Sequence, residues 1–554
     1  MIQFLKKYLL FLLCMAPTAL WAQQGHYNAF DAVQYDTKKQ LHLQDLQRHS
    51  AVLPILNKDV IKYCGSDSLR TSGNKGFLGT VKNLKPLGFS KKNLKIAFYP
   101  TLDLSGGAES KDFRMFGGGA IGANLTADLG KRFSIGGYGR LSQYSFPGYL
   151  EKIIAKQRVV PGCGYAVPSA LGGHYFWDWD VYANYEFLKY FNLEAGMGRN
   201  FWGDGYRSFF LSDQSFSYPY FKITTSFWKI KYVNLYAQLK DMRTTGSGLW
   251  SSMENKYGSF HFLSWDVSKR LNIGFFEAII WQNEDSLAHR GFDINYLNPV
   301  IFYRPVEFSV GSPDNSLMGF SAKVKVAKKN FFYGQFLLDD IIWGEFSGGS
   351  INRIKHWIHP SDSVGAYGYW TNKQAWQLGF VSYDIFKIRD LDFQLEYNAA
   401  RPYTFSHRMP GVNYSQYNEA LAHPAGANFQ EVLGFLKYRT GNFHFQLMGL
   451  FRETGIDTIG THYGQDIFQS TFDTYYPELD NIPVSQYNNN IGQGIKTRLY
   501  YGSVKASWLF NKAMNLRAEA EVAVRRQSSS IATNTGVCFM LGLKTSWFQT
   551  GSDR

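Results

Sequence analysis

Between Phe191 and Gly198 apolar and polar side chains alternate without a break. Phe191, Leu193, Ala195 and Met197 fall on one face, and Asn192, Glu194, Gly196 and Gly198 on the other. A period of 2 is the signature of a strand with one apolar side. Two more such segments follow almost back to back, Phe221–Trp228 and Lys231–Leu239. In the second, Val233, Leu235, Ala237 and Leu239 share a face opposite Tyr232, Asn234, Tyr236 and Gln238. Leu391–Asn398 is the cleanest, with Leu391, Phe393, Leu395 and Tyr397 expected outward and Asp392, Gln394, Glu396 and Asn398 inward. Asn515–Arg525 sets Leu516, Ala518, Ala520, Val522 and Val524 against Arg517, Glu519 and Glu521. Charges on one face of a strand whose other face is aliphatic fit a division between lipid and lumen.

The connections between segments are of two kinds. Gly130-Lys131-Arg132, Leu188-Lys189-Tyr190, Ser268-Lys269-Arg270 and Ala327-Lys328-Lys329-Asn330 are short and basic. The others are long and rich in aromatics, Gly and Asn: 146–173, 199–220, 283–317, 345–373, 400–430 and 453–495. Tight turns at one end and long loops at the other are the plan of a bacterial outer-membrane barrel. The strands begin at Leu94 and run to Phe548; at about 25 residues per strand plus connection this predicts a transmembrane antiparallel β-barrel of roughly 18 strands.

Composition sharpens this all-β picture. Aromatic residues make up 17% of the chain, alongside 53 Gly, which suits aromatic girdles at two membrane interfaces. The apolar fraction of 45% suits strands with a polar lumen face. Residues 1–22 have a basic start, a short apolar run and a small residue at Ala22, the layout of a cleaved signal peptide. Cys14 lacks the small preceding residues of a lipoprotein signal. Residues 23–90 are polar and turn-rich, read as an N-terminal extension that is periplasmic or plugs the lumen; 91–554 is read as the barrel. The formal charge of +14 favours acidic partners, either anionic outer-membrane lipids or acidic surface polysaccharide, and export argues against nucleic acid. Cys64, Cys163 and Cys538 form no disulfide framework, although a Cys64–Cys163 bridge is open.

Two stretches go beyond pattern: Gly198-Arg-Asn-Phe-Trp-Gly-Asp-Gly-Tyr-Arg-Ser-Phe-Phe-Leu-Ser-Asp213, and Asp293-Ile-Asn-Tyr-Leu-Asn-Pro-Val-Ile-Phe-Tyr-Arg-Pro-Val-Glu-Phe308. Together they resemble the Wzi-type capsule-assembly outer-membrane proteins, most nearly their RemB-type gliding-motility branch. The resemblance implies an outer-membrane barrel of a Gram-negative bacterium that engages surface polysaccharide, in capsule attachment or, with other cell-surface proteins, in gliding. One departure is the C-terminus: such barrels end on an aromatic residue, whereas this chain ends Trp547-Phe548 followed by six further residues.

Arg199, Trp202, Asp204, Tyr206 and Arg207 are candidates for glycan contact, since rings stack on sugars and Arg forks clasp uronate carboxylates. Their plainer reading, the preferred one, is a loop folded into the barrel mouth with Arg–Asp pairs and with Gly203 and Gly205 permitting tight turns. Tyr296, Asn298, Tyr303, Arg304 and Glu307 carry the same two readings, with Pro299 and Pro305 imposing a non-strand path. No GxSxG elbow, HExxH or P-loop occurs, so no enzyme, cofactor or metal site is expected. His356, His359 and Asp362 lack a fourth ligand or a recognisable spacing. The alternative to polysaccharide engagement is a channel for solute or glycan, although aromatic-rich loops argue for a plugged lumen.

Overall fold

The computed structural model describes residues 38–40, 42–43, 49–56, 85–91, 93–243, 250–285, 288–299, 314–340, 343–360, 365–458, 460–471, 486–546 and 553. Eighteen long strands close into one antiparallel barrel. They are β1 (Leu94–Glu109), β2 (Arg114–Leu129), β3 (Phe133–Ser145), β4 (His174–Phe187), β5 (Phe191–Gly198) and β6 (Tyr218–Phe227). Then come β7 (Ile230–Asp241), β8 (Glu254–Asp266), β9 (Leu271–Gln282), β10 (Asn315–Ala327), β11 (Asn330–Asp340) and β12 (Lys373–Ser382). The last are β13 (Leu391–Ala400), β14 (Phe429–Thr440), β15 (Phe443–Ile456), β16 (Ile495–Asn511), β17 (Leu516–Ser529) and β18 (Thr533–Lys544).

Each strand pairs with its sequence neighbour, and β18 returns to β1 from Lys544↔Asp103 to Cys538↔Glu109. That register covers only the second half of β1. The first half is paired on the same edge by Leu87–Lys91, from Leu87↔Phe98 to Lys91↔Leu94. The seam therefore leaves no long row of open backbone groups, which hydrocarbon could not satisfy. Beyond Lys544, the Asp103 carboxylate accepts the N–H groups of Thr545 and Ser546 at 3.0 Å each.

The outer surface carries Leu102, Leu104, Ile121, Leu125, Leu141, Phe332, Leu378, Leu395, Val504, Val522 and Leu541, all exposed. A closed barrel with such an apolar exterior is an outer-membrane β-barrel. On β13, Asp392, Gln394, Glu396 and Asn398 are buried on the lumen side, as the alternation predicts. The ends of β1 and β2 extend past the expected Leu104 and Gly118, because Gly106, Gly107 and Gly117–Gly119 carry no side chains to display a period.

The lumen departs from expectation on one side. Lys222 of β6 pairs with Glu194 inside the barrel and stands opposite Leu235, so Val233, Leu235, Ala237 and Leu239 face inward. Phe260, Phe262 and Phe276 of β8 and β9 join them. This quarter of the wall is apolar toward the lumen because it packs on an infolded loop. Among the described residues no helix is long and apolar enough to cross a membrane.

Val504 stands outward in β16 with no polar neighbour required of it. Val504→Arg should cost about 2–4 kcal/mol of stability at the bilayer midplane, whereas lumen-facing Ser503→Arg tests accommodation rather than lipid cost. Urea unfolding in phospholipid vesicles measures both.

Candidate functional site

The loop from Arg199 to Ser217, between β5 and β6, turns into the barrel rather than out of it. Trp202, Phe209, Phe210 and Leu211 are fully buried in one cluster with Phe260, Phe262, Phe276, Phe405 and Tyr414. Phe210 stacks on Phe276 at 4.7 Å and Trp202 on Phe262 at 5.7 Å. A Cβ at Gly319 of β10 would collide with the Phe210 ring, so only glycine lets the loop dock there. Gly203 and Gly205 serve the same end: a Cβ at Gly205 would lie 2.5 Å from Glu396 Oε2 and 2.8 Å from Gln377 Oε1. Neither has a left-handed φ; close approach to the wall, rather than the expected tight turn, requires glycine.

Polar groups lock this plug. The Glu396 carboxylate accepts the backbone N–H groups of Tyr206 at 2.8 Å and Arg207 at 3.1 Å, and the Tyr333 hydroxyl at 2.7 Å. Arg207 donates from Nη2 to Asp553 at 2.7 Å and sits 3.5 Å from Glu431. Its guanidinium lies over the Tyr206 ring, whose hydroxyl donates to the same Asp553 oxygen at 3.0 Å. Glu431 also meets His423 Nε2 at 3.0 Å. Burial lowers the His423 imidazole to about 4, against the pull of Glu431, so at neutral pH its Nε2–H donates. Arg199 donates to Asp178 at 3.1 Å, to the Gly162 carbonyl at 2.8 Å and to the Tyr138 hydroxyl.

Residues of the N-terminal segment reach the same plug from the tight-turn end. Val52 and Leu53 pair as a short strand with Trp202 and Phe201. Lys39 bonds Asp384 at 2.8 Å and Asp392 at 2.9 Å, beside the β12–β13 turn. Asp204 accepts Ser50 Oγ at 2.7 Å and Lys323 Nζ at 3.0 Å. Burial would raise the Asp204 carboxyl, but Lys323, Lys38 and His42 outweigh it and hold it at about 2. The first motif is thus an interior brace. Trp202 and Arg207 are fully buried and cannot meet a polymer at the cell surface without unfolding the plug.

The second motif lies elsewhere. Residues 291–299 rest on the outer face of the wall, where Tyr296 packs against Ile279 and Trp281. The Tyr296 hydroxyl donates to Asp314 at 2.6 Å, and Arg290 pairs with Asp293 and Asp314. Asn298 is exposed; Tyr303, Arg304 and Glu307 lie outside the described residues, as do Cys64, Asp362, Trp547 and Phe548. Cys163 is a buried free thiol.

Opposite the plug, two cavities lie against the wall among the described residues. The connection 146–173, expected to be irregular, holds helix α1 (Gly148–Gln157) folded into the mouth. Leu150 and Ile154 seat it on Phe146, Val160, Cys163 and Phe176. Gly148 N–H donates to Glu109 at 2.8 Å, and Glu151 meets His174 at 2.7 Å. A vestibule of about 840 Å³ lies between α1 and the rim of β1, β2, β17 and β18. A chamber of about 120 Å³ lies along the wall, lined among others by Asp103, Arg140, Lys505, Glu521 and Lys544. Tyr149 and Cys538 border both spaces, and the Arg525 guanidinium lies 4.7 Å from the Tyr149 ring. Sequence reasoning flagged the charged face of β17 but missed α1, whose helical run Tyr-Leu-Glu-Lys-Ile-Ile-Ala-Lys after Pro147 was a usable signal. A second helix, α2 (Trp343–Ile358), occupies the β11–β12 connection.

No family model matches the chain, and no curated protein matches it in sequence. Solved structures that share the barrel include proteins of Pseudomonas aeruginosa and Acinetobacter baumannii. They include Pseudomonas aeruginosa OprD (TM-score 0.41, 8% identity, covering 81% of this chain and 94% of that one). Pseudomonas aeruginosa OpdK, solved with vanillate, has TM-score 0.42 and 8% identity, with 81% and 98% covered. Acinetobacter baumannii OccAB2 has TM-score 0.39 and 8% identity, with 81% and 97% covered. The resemblance to Wzi-type and RemB-type proteins is corrected: no family model or curated sequence supports it, and the solved structures named above are OprD- and Occ-type proteins.

Arg207→Ala should destabilise the protein by about 3–5 kcal/mol, because it strands buried Glu431 and Asp553; the urea midpoint reads this. Asp204 has a folded pKa below its ordinary value. Its contribution, about 2 kcal/mol, is therefore full above pH 4 and lost as pH falls toward 2. Asp204→Asn should lower the midpoint at pH 6 and lose its effect near pH 2, which a pH series of unfolding curves checks.

Proposed function

We propose that the protein is an outer-membrane channel with an off-centre path for small charged solutes, narrowed by α1. The supporting observation is a vestibule and a chamber whose linings share Tyr149 and Cys538, across the barrel from the plug. The Arg199–Ser217 loop and residues 49–53 act as the brace that confines passage to that side. The vestibule is lined by Lys111, Arg114, Lys152, Lys156 and Arg525 against Glu109 and Glu151. This cationic excess raises the local concentration of anions at the mouth. The chamber beyond carries both signs, so entry is selective by charge while the interior offers partners to either sign. The Arg525–Tyr149 contact closes the neck without covalent cost and can part by a rotamer change of either side chain.

In planar bilayers the wild-type protein should show a small, weakly anion-selective conductance. Tyr149→Ala should raise it several-fold, and removal of residues 148–157 further still. If all three proteins are electrically silent although folded, the channel reading fails. A thiol-reactive anion added from the loop side should block the current through Cys538 and leave Cys538→Ser unaffected.

A further inference from the structure

Three of the tight turns carry the same unusual pair of residues. Leu188-Lys189 joins β4 to β5, Trp228-Lys229 joins β6 to β7, and Phe386-Lys387 lies between β12 and β13. In each pair the apolar residue has a left-handed backbone, with φ of 60°, 53° and 56°. That conformation costs stability in any residue with a Cβ, and glycine or asparagine would hold such a turn with less strain. The three side chains are large, yet they stand 59%, 71% and 81% exposed. Packing within the chain does not offset the strain.

These residues continue the lipid-facing belt. Phe187 and Phe227, each just before its turn, are exposed at the ends of β4 and β6. The Tyr190 and Phe227 rings meet edge to face at 5.4 Å, linking the first two turns across the paired strands β5 and β6. Lys189 Nζ lies 5.3 Å from the Tyr190 ring centroid, and Lys229 Nζ 5.3 Å from that of Trp228. Lys229 also reaches the Val267 carbonyl at 3.4 Å, but no carboxylate of the described residues pairs with Lys189, Lys229 or Lys387. The β8–β9 and β10–β11 turns add exposed Lys269, Arg270 and Lys328, so the cationic arc runs from β4 to β13. Carboxylates near it are already engaged: Asp266 by Asn272 and His49, Asp384 by Lys39 and Lys329, and Asp390 by Lys39 and Arg439. Among the described residues of these turns no Asp or Glu is exposed.

We propose that this arc of the periplasmic rim seats anionic phospholipid from the inner leaflet of the outer membrane. Tight turns lie on the periplasmic side of such barrels. At the boundary between acyl chains and head groups, the Leu, Trp or Phe of each pair enters the acyl edge and the adjacent ammonium meets a phosphate. Lipid contact then offsets the strain that the fold leaves uncompensated. A net negative head group is preferred over a zwitterionic one, because these turns expose cations and no carboxylate to meet a head-group ammonium. Cell-wall polymer or an acidic periplasmic protein would also meet the lysines, but neither offers an acyl phase to Trp228 and Phe386. The seat does not depend on conduction.

The test reconstitutes the protein in phosphatidylcholine vesicles with a trace of spin-labelled phosphatidylglycerol or of spin-labelled phosphatidylcholine. Electron paramagnetic resonance reads the fraction of each label slowed at the protein surface. The anionic label should be held about threefold more strongly at low salt, with the advantage lost at about 0.5 M salt. Lys189→Gln, Lys229→Gln and Lys387→Gln together should abolish the preference at low salt while the barrel keeps its heat-resistant mobility. Arg353→Gln with Lys355→Gln, on the loop side, should leave it in place. In intact outer membranes, a photo-crosslinking phenylalanine analogue in place of Trp228 or Phe386 should couple to phospholipid. Equal retention of the two labels by the wild type overturns the proposal, as does a triple variant that keeps the preference. Coupling of both positions only to protein or to cell-wall polymer overturns it too.

Discussion

At membrane depth a backbone N–H has no partner but another strand, and that constraint organises this molecule. It forces β18 back onto β1 and recruits Leu87–Lys91 to pair the part of β1 that β18 does not reach. It also explains why Asp103, at the point where the register ends, holds the N–H groups of Thr545 and Ser546. Over the outer wall of β7–β9 the same constraint is met by side chains: Ser259, Tyr236 and Tyr232 donate to the carbonyls of Tyr296, Leu297 and Pro299.

An eighteen-stranded barrel is too wide for wall side chains to fill, so its interior must be occupied by loops or left wet. Here it is divided. One side is packed dry: Phe209, Phe210 and Trp202 meet an apolar wall, and the backbone they bring with them is satisfied by Glu396 and Gln335. The other side keeps charged pairs and space, with α1 leaning into it. The rigid half gives the open half a fixed boundary, which a narrow passage needs if its width is to be set by one side-chain contact.

Burying so many ions in the plug is costly unless every one is paired. Arg207 stands among Glu431, Asp553 and the Tyr206 ring, and Arg199 among Asp178, Asp180 and Tyr138. These networks give the loop a single seat. Asp553 and Glu396, which hold the Arg207 side chain and backbone, lie 346 and 189 positions away in sequence, so this seat exists only once the barrel has closed.

Much of the architecture was legible in the order of residues alone, because period-2 alternation and turn length are local properties. Leu391–Asn398 announced its two faces, the basic tight turns announced one rim, and the long aromatic loops announced the other. The strand number followed from length. What local pattern could not reveal is what a strand faces. Val233, Leu235, Ala237 and Leu239 read as any apolar face would, and only the closed barrel turns them inward onto Phe210 and its neighbours. Asn234 reads as one polar position of an alternating strand, and only the closed barrel sets it on the outer face. The motif around Trp202 and Arg207 was conspicuous in the sequence, yet the same rings and guanidinium groups suit a sugar or a salt-bridged core. Burial chooses between the two, and burial belongs to the tertiary structure because it depends on partners that the chain brings together from far apart.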